Sequence, residues 1–214
     1  MGKLKLAHPK RLITSITVLI VTIILLYTTY GLVFSEKQDD ILLVNRQHPL
    51  PANYQPQQLV HLYTEENKHF QLSRQDIYLS DHVFRAMEDM FAAAQRDGIE
   101  GFIITSGYRS QAEQNEIYSA SNDGVAAAPG ESEHETGLAF DVTARGNEVF
   151  ALTPQYAWLF QNCGDYGFIL RYPEGKENIT GYPYESWHYR YVGLPYAKEI
   201  MDAGITLEEY LANQ

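Results

Sequence analysis

Cysteine is almost absent. The chain of 214 residues has one, Cys163, so no intrachain disulfide can form and the fold must rest on packing and on any metal it holds. Acidic residues are missing from the first 35 positions, although 27 occur in all, and no charge of either sign lies between Leu12 and Phe34. Internal repeats are missing too, and nine prolines and 15 glycines are too few for a collagen-like or low-complexity chain. Four of the 16 basic residues (Lys3, Lys5, Lys10 and Arg11) precede position 35. The remainder therefore sets 12 basic residues against 27 acidic ones, a formal charge of −15. That balance argues against nucleic acid as a partner.

The charge-free stretch Leu12–Phe34 holds 23 residues. As a helix it reaches roughly 34 Å, enough for a hydrocarbon core of about 30 Å. Basic residues before it and Glu36-Lys37-Gln38-Asp39-Asp40 after it predict an N-terminus inside and the bulk of the chain outside. A cleaved signal peptide is the rival reading. Its apolar run would be shorter, about 7–15 residues, and would end in a small-x-small site, whereas this one ends Tyr30-Gly31-Leu32-Val33-Phe34 with no A-x-A pattern and no lipid-attachment cysteine. The chain thus divides into a basic tail (1–11), a transmembrane signal-anchor (12–34), a Gln/Asp/Asn/Pro-rich linker lying on the domain (35–58) and one domain (59–214). About 180 residues suit a single core.

Within the domain, Ser80 or Asp81 starts a helix whose apolar positions Val83, Phe84, Met87, Met90, Phe91 and Ala94 recur at three-and-four spacing up to Gly98. Gly101–Thr105 reads as a short buried strand, Ser110 to Ser121 as a second amphipathic helix, and Asp123 to Glu131 as a Gly/Ala/Pro loop. Strands are expected at Leu138–Thr143, Tyr166–Tyr172 and Trp187–Val192. Helices are expected at Gln155–Asn162, Pro195–Ala203 and Thr206–Ala212, the last with a Thr206/Glu209 capping box. Without regular β-α-β alternation, the class is α+β with a small, mainly antiparallel sheet and helices packed around it. Cys163, at a helix end before Gly164, reads as a buried structural thiol.

Three segments place polar side chains inside apolar surroundings: Ser106-Gly107-Tyr108-Arg109-Ser110, Ser132-Glu133-His134-Glu135-Thr136-Gly137-Leu138-Ala139-Phe140-Asp141, and Glu185-Ser186-Trp187-His188-Tyr189-Arg190-Tyr191. Alternation along a strand puts Leu138, Phe140 and Val142 on one face and Ala139 with Asp141 on the other. A carboxylate there needs a cation or several donors to offset its desolvation. The same parity sets Trp187, Tyr189 and Tyr191 opposite His188, Arg190 and Val192. Glu185 joins His188 only where the chain turns or bulges around Ser186. Two imidazoles and one carboxylate make a three-ligand zinc set with a fourth position for water, and a nearby free carboxylate can take that water's proton. Taken singly, an Asp on a strand or a lone His is more often structural than ligating. His48, His61, His69 and His82 have no carboxylate partner in a strand and read as solvated.

These segments resemble the signature of the VanY-type D-alanyl-D-alanine carboxypeptidases, zinc peptidases of the bacterial cell wall that share a fold with the VanX-type dipeptidases and the Hedgehog signalling domain. Ser106 through Gln114 meets S-G-Y-R-S-x-x-x-Q, Ser132 through Asp141 meets S-x-H-x-x-G-x-A-x-D, and Glu185 through His188 meets E-x-W-H. The resemblance spans Leu43 to Gly193. It implies that His134, Asp141 and His188 bind Zn2+, that Glu185 is the general base, and that Arg109 stabilises the developing oxyanion. Gln114 and Ser132 are then contacts to the substrate backbone or its terminal carboxylate. Arg190 shares the face of His188 and is counted with them as a substrate contact, or orients a carboxylate in a structural ion pair. Tyr108 and Trp187 read as packing residues.

Together, the charge-free N-terminal run and the resemblance imply a single-pass protein of the bacterial cell membrane with an extracellular zinc carboxypeptidase domain. Its substrate is the peptidoglycan stem peptide, from which it removes the C-terminal D-alanine, by D,D-cleavage first and L,D-cleavage a close second. The alternatives are a non-catalytic zinc-stabilised wall-binding domain, a peptidoglycan endopeptidase, and a tethered wall-binding module without metal.

Overall fold

The computed structural model describes Thr22 and residues 41–66, 69–121, 126–146 and 149–214. The transmembrane reading of Leu12–Phe34 lies, but for Thr22, outside the described residues. Among the described residues no helix is long and apolar enough to cross a membrane.

Residues 40–214 form one compact unit. It begins earlier than the composition of 35–58 suggests, because Val44 is fully buried and Ile41 and Leu43 pack on a small C-terminal cluster. In chain order come β1 (Leu59–His61), β2 (Phe70–Leu72), β3 (Tyr78–Ser80), α1 (Asp81–Arg96), β4 (Phe102–Ser106) and α2 (Gln111–Ala120). A 3-10 turn (Glu133–Thr136) leads into β5 (Ala139–Ala144). A second such turn precedes α3 (Pro154–Asn162), and a third leads to β6 (Phe168–Leu170). Then follow the short α4 (Glu177–Thr180), β7 (His188–Tyr191), α5 (Tyr196–Ala203) and α6 (Leu207–Ala212).

The main sheet has the order β2-β4-β5-β7-β6, and β1 pairs with β3 in a separate two-stranded ribbon. Three neighbouring pairs of the main sheet are antiparallel, but β2 runs parallel to β4. The sheet is therefore mixed, a refinement of the mainly antiparallel expectation that follows because α1 carries the chain back between these two strands. The apolar stripe of α1 buries Val83, Phe84, Met87, Met90, Phe91 and Ala94 against Phe102, Ile104, Phe140 and Val142 of the sheet. Full burial of each large side chain contributes about 1.5–3 kcal/mol.

One helix and one strand correct local expectations. α2 is not amphipathic: Gln114 is its one buried residue and Ile117 and Tyr118 stand exposed, so the Ser110/Glu113 capping box and the polar anchor Gln114 hold it. α6 keeps its Thr206/Glu209 capping box as expected. On β7, Tyr189 is buried in the main core and Tyr191 packs on it, but Trp187 is 43% exposed. The strand starts only at His188, after a turn at Ser186–Trp187, so strand parity never reaches the indole. Cys163 is fully buried and its thiol is pushed up to about 12 by burial, which leaves it a packing residue.

Candidate metal centre

Three adjacent strands build the site. Ser106 of β4, Asp141 of β5 and His188 of β7 stand in one cross-strand row. The row exists because β4 carries a bulge between Ile104 and Ser106, so that two residues advance there for one on β5. His134 arrives from outside the sheet. The 3-10 turn carrying it ends at Gly137, whose φ of 72° reverses the chain into β5. A Cβ at Gly137 would also meet the Ser80 Oγ at 2.8 Å.

His134, Asp141 and His188 each offer one ligand atom, and these atoms all lie within 4.8 Å of one another. The outer nitrogens fix which atoms face inward. His134 Nδ1 lies 2.8 Å from the Gly107 carbonyl, which can only accept, so Nδ1 carries the hydrogen and Nε2 a lone pair. That Nε2 faces Asp141 Oδ2 at 3.4 Å. His188 turns Nδ1 to Asp141 Oδ1 at 3.0 Å and Nε2 to Glu133 Oε2 at 3.3 Å. Two nitrogens and a carboxylate converging in this way, with each imidazole anchored from behind, fit a zinc ion with an open fourth position.

The electrostatics agree. Burial would raise the Asp141 carboxyl, yet His134 and His188 hold it well below the usual range. Burial lowers His134 despite Asp141. His188 is pulled down by burial, but its bonds to Asp141 and Glu133 prevail and push it up to about 9. A buried carboxylate that must recruit an imidazolium is one a divalent cation can serve.

The turn at Ser186 meets the condition set by the sequence. The His188 amide donates to the Glu185 carbonyl, and Glu185 Oε2 comes 3.9 Å from His188 Nδ1. Burial raises the Glu185 carboxyl above its ordinary value. Arg109 is held by its amide donating to the His134 carbonyl and by its guanidinium donating to Gln114 Oε1 at 2.7 Å and Ser106 Oγ at 3.3 Å. Burial lowers it, while the charge of Asp141 favours the cation. A groove lined by Thr105, Asp141, Thr143, Val149 and Trp187 opens beside Asp141.

Two candidate substrate contacts take other roles. Gln114 is buried and uses both ends of its amide, accepting from Arg109 and donating to the Ala127 carbonyl at 2.7 Å. It braces the arginine and the following loop. Arg190 is fully buried and donates to Glu133 Oε1, Leu42 O and Tyr191 O, so it orients a carboxylate and meets no solvent where a substrate could lie. Ser132, also buried, precedes the turn that carries His134. Glu133 and Arg171 were not singled out in the sequence. The pointer was there in part, because Arg190 called for a carboxylate and Glu133 adjoins His134.

A family model described as VanY, D-alanyl-D-alanine carboxypeptidase, matches residues 76–194, more than half the chain and every residue of the site. The chain belongs to the VanY family. Among VanY relatives, the protein YodJ of Bacillus subtilis (strain 168) is 43% identical over 194 residues, covering 84% of this chain and 70% of YodJ. The structure of the LD-carboxypeptidase LdcB superposes with a TM-score of 0.72 at 41% identity, over 81% of this chain and 86% of that one. A mutant of the D,D-pentapeptidase VanY from a VanB-type vancomycin-resistance cassette, in complex with Zn(II), superposes with a TM-score of 0.66 at 37% identity, over 81% and 99%. As a VanY member with this donor group, the protein is a zinc metallocarboxypeptidase and its cofactor is Zn2+.

Proposed function

We propose that this protein removes the C-terminal D-alanine from peptidoglycan stem peptides outside the cell, tethered to the bacterial cell membrane through Leu12–Phe34. The observation that carries the reading is the approach of the Glu185 carboxylate to 3.9 Å from His188 Nδ1, beside a group of metal-ligating atoms and with Arg109 nearby. A zinc-stabilised wall-binding domain has no need of that carboxylate.

His134, Asp141 and His188 would hold Zn2+, which when bound acidifies a water and polarises the scissile carbonyl. Glu185 takes the proton from the attacking water and gives it to the leaving amine. Its burial suits both steps, since a raised carboxyl is a better base than an ordinary one and still gives the proton up to the far more basic leaving amine. Arg109, fixed by Gln114 and Ser106, offers a cation to the charge that develops on the carbonyl oxygen. Cleavage of D-Ala-D-Ala is the first reading. L,D-cleavage of tetrapeptide stems stands close behind it, supported by the likeness to LdcB.

The test is mass spectrometry of synthetic pentapeptide and tetrapeptide stems incubated with the protein, with zinc, with chelator, and with Glu185→Ala. We expect loss of one terminal alanine that needs both zinc and Glu185, and the stem consumed tells D,D from L,D. Intact stems with folded, zinc-loaded protein would overturn the carboxypeptidase reading and bring endopeptidase or wall binding forward.

A further inference from the structure

Behind His188, away from the ligand atoms, lies a buried charge cluster that the hydrolytic chemistry does not use. Glu133 has no exposed side-chain surface. Its Oε1 accepts from Arg171 Nε at 2.6 Å and from Arg190 Nη1 at 2.8 Å. Its Oε2 is turned to His188 Nε2 at 3.3 Å. Arg171 is in turn held by both oxygens of Glu208, at 2.9 and 2.6 Å, and stacks over Tyr172. Asn45 donates to Glu208 and Leu42 accepts from Arg190, so the segment before β1 closes the cluster. Two carboxylates face two guanidinium groups, and the charges balance before His188 is counted.

We propose that Glu133 is a positioning residue that fixes the tautomer and ring orientation of His188 for zinc. The inference rests on the zinc-ligand reading of His134, Asp141 and His188. A carboxylate pinned between two arginines can only accept, so the imidazole nitrogen facing it must carry the hydrogen. That leaves Nδ1 of a neutral His188 with its lone pair directed to Asp141 and the metal position. His134 is handled the same way by a different device, the Gly107 carbonyl behind its Nδ1. The two supports explain why one histidine presents Nε2 and the other Nδ1. Buried ion clusters also occur as plain structural features, and replacing them is often neutral. The distinction lies in the metal, because a purely structural cluster has no influence on zinc affinity in folded protein, whereas outer partners of a ligating histidine are commonly worth about 10–100-fold.

The experiment compares zinc affinity of the full chain and its variants by competition with a fluorescent chelator, below the melting temperature of each. Glu133→Gln keeps the volume and removes the obligate acceptor. Glu208→Gln loosens the same cluster at Arg171 without touching His188. We expect Glu133→Gln to weaken zinc binding by about 10–100-fold, and Glu208→Gln to lower the melting temperature with zinc affinity unchanged. Equal zinc affinity in Glu133→Gln and wild type would overturn the proposal, as would equal weakening in the two variants. Nitrogen-15 spectra of zinc-loaded wild type decide it even where Glu133→Gln does not fold. A proton on His188 Nε2 with Nδ1 on the metal supports it, and an unprotonated Nε2 sinks it. Failure of wild type to bind zinc through His134, Asp141 and His188 would instead refute the underlying ligand reading.

Discussion

Gly107→Ala isolates one carbonyl of the metal centre by purely steric means. Gly107 does not lie in the left-handed region, so alanine there brings no torsional strain. A Cβ at this position would run into the Tyr78 carbonyl oxygen and come within 2.9 Å of Ile77 Cγ2. Carbon atoms pack best at about 3.5–4.0 Å, so the methyl contact alone demands a shift of more than half an ångström. Neither neighbour can give way easily. Ile77 is fully buried, and Tyr78 belongs to a paired strand and already accepts the Tyr108 amide at 2.6 Å. The 107 backbone must therefore move, and with it the carbonyl that anchors His134 Nδ1. Overpacking of this kind costs about 1–3 kcal/mol. At roughly 2–4 °C per kcal/mol for a domain of this size, the melting temperature falls by roughly 2–12 °C. Loss of the outer bond to His134 adds a weakening of zinc binding of about 10–100-fold. The control is Gly175→Ala, where φ is 80° and nothing lies within 4 Å. It carries a left-handed penalty of about 1–2 kcal/mol and leaves zinc affinity alone. Thermal melts and chelator competition on both variants check the reasoning. Wild-type zinc affinity in folded Gly107→Ala would refute it.

Two further outcomes follow, one from the charge of His188 and one from the apolar N-terminal run. In chelator-treated protein, His188 is pushed up to about 9 from an ordinary 6.5, so its imidazolium stabilises the fold fully below pH 6.5 and that contribution is lost as pH rises through 9. Stability by urea titration should fall between those values, and an unchanged or rising midpoint would sink the account. The carboxyls of Asp141 and Glu133 are held low and are already ionised throughout that window. For the N-terminus, the full chain should sediment with membranes and resist carbonate extraction while a chain starting near Ser35 stays in the supernatant. Equal solubility of both forms would refute the anchor.

The legible part of the fold is mostly short-range. The stripe of α1, the capping box Thr206/Glu209, and the alternation that sends Phe140 and Asp141 to opposite sides of β5 depend on torsions and hydrogen bonds within a few residues. The motifs were also legible, since His134, Asp141, Glu185 and His188 carry unusual chemistry for their apolar settings. Trp187 marks the limit of local reasoning, because alternation holds only where a strand exists and the turn at Ser186 decides where β7 begins. Long-range contacts account for the rest. The β4 bulge aligns Ser106 with Asp141 and His188, and Glu133 meets Arg171 and Arg190 across separations of 38 and 57 residues. Whether Gln114 and Arg190 touch substrate or brace a neighbour depends on which groups long-range packing brings against them. A buried polar side chain takes the partner that satisfies it, and no local pattern names that partner.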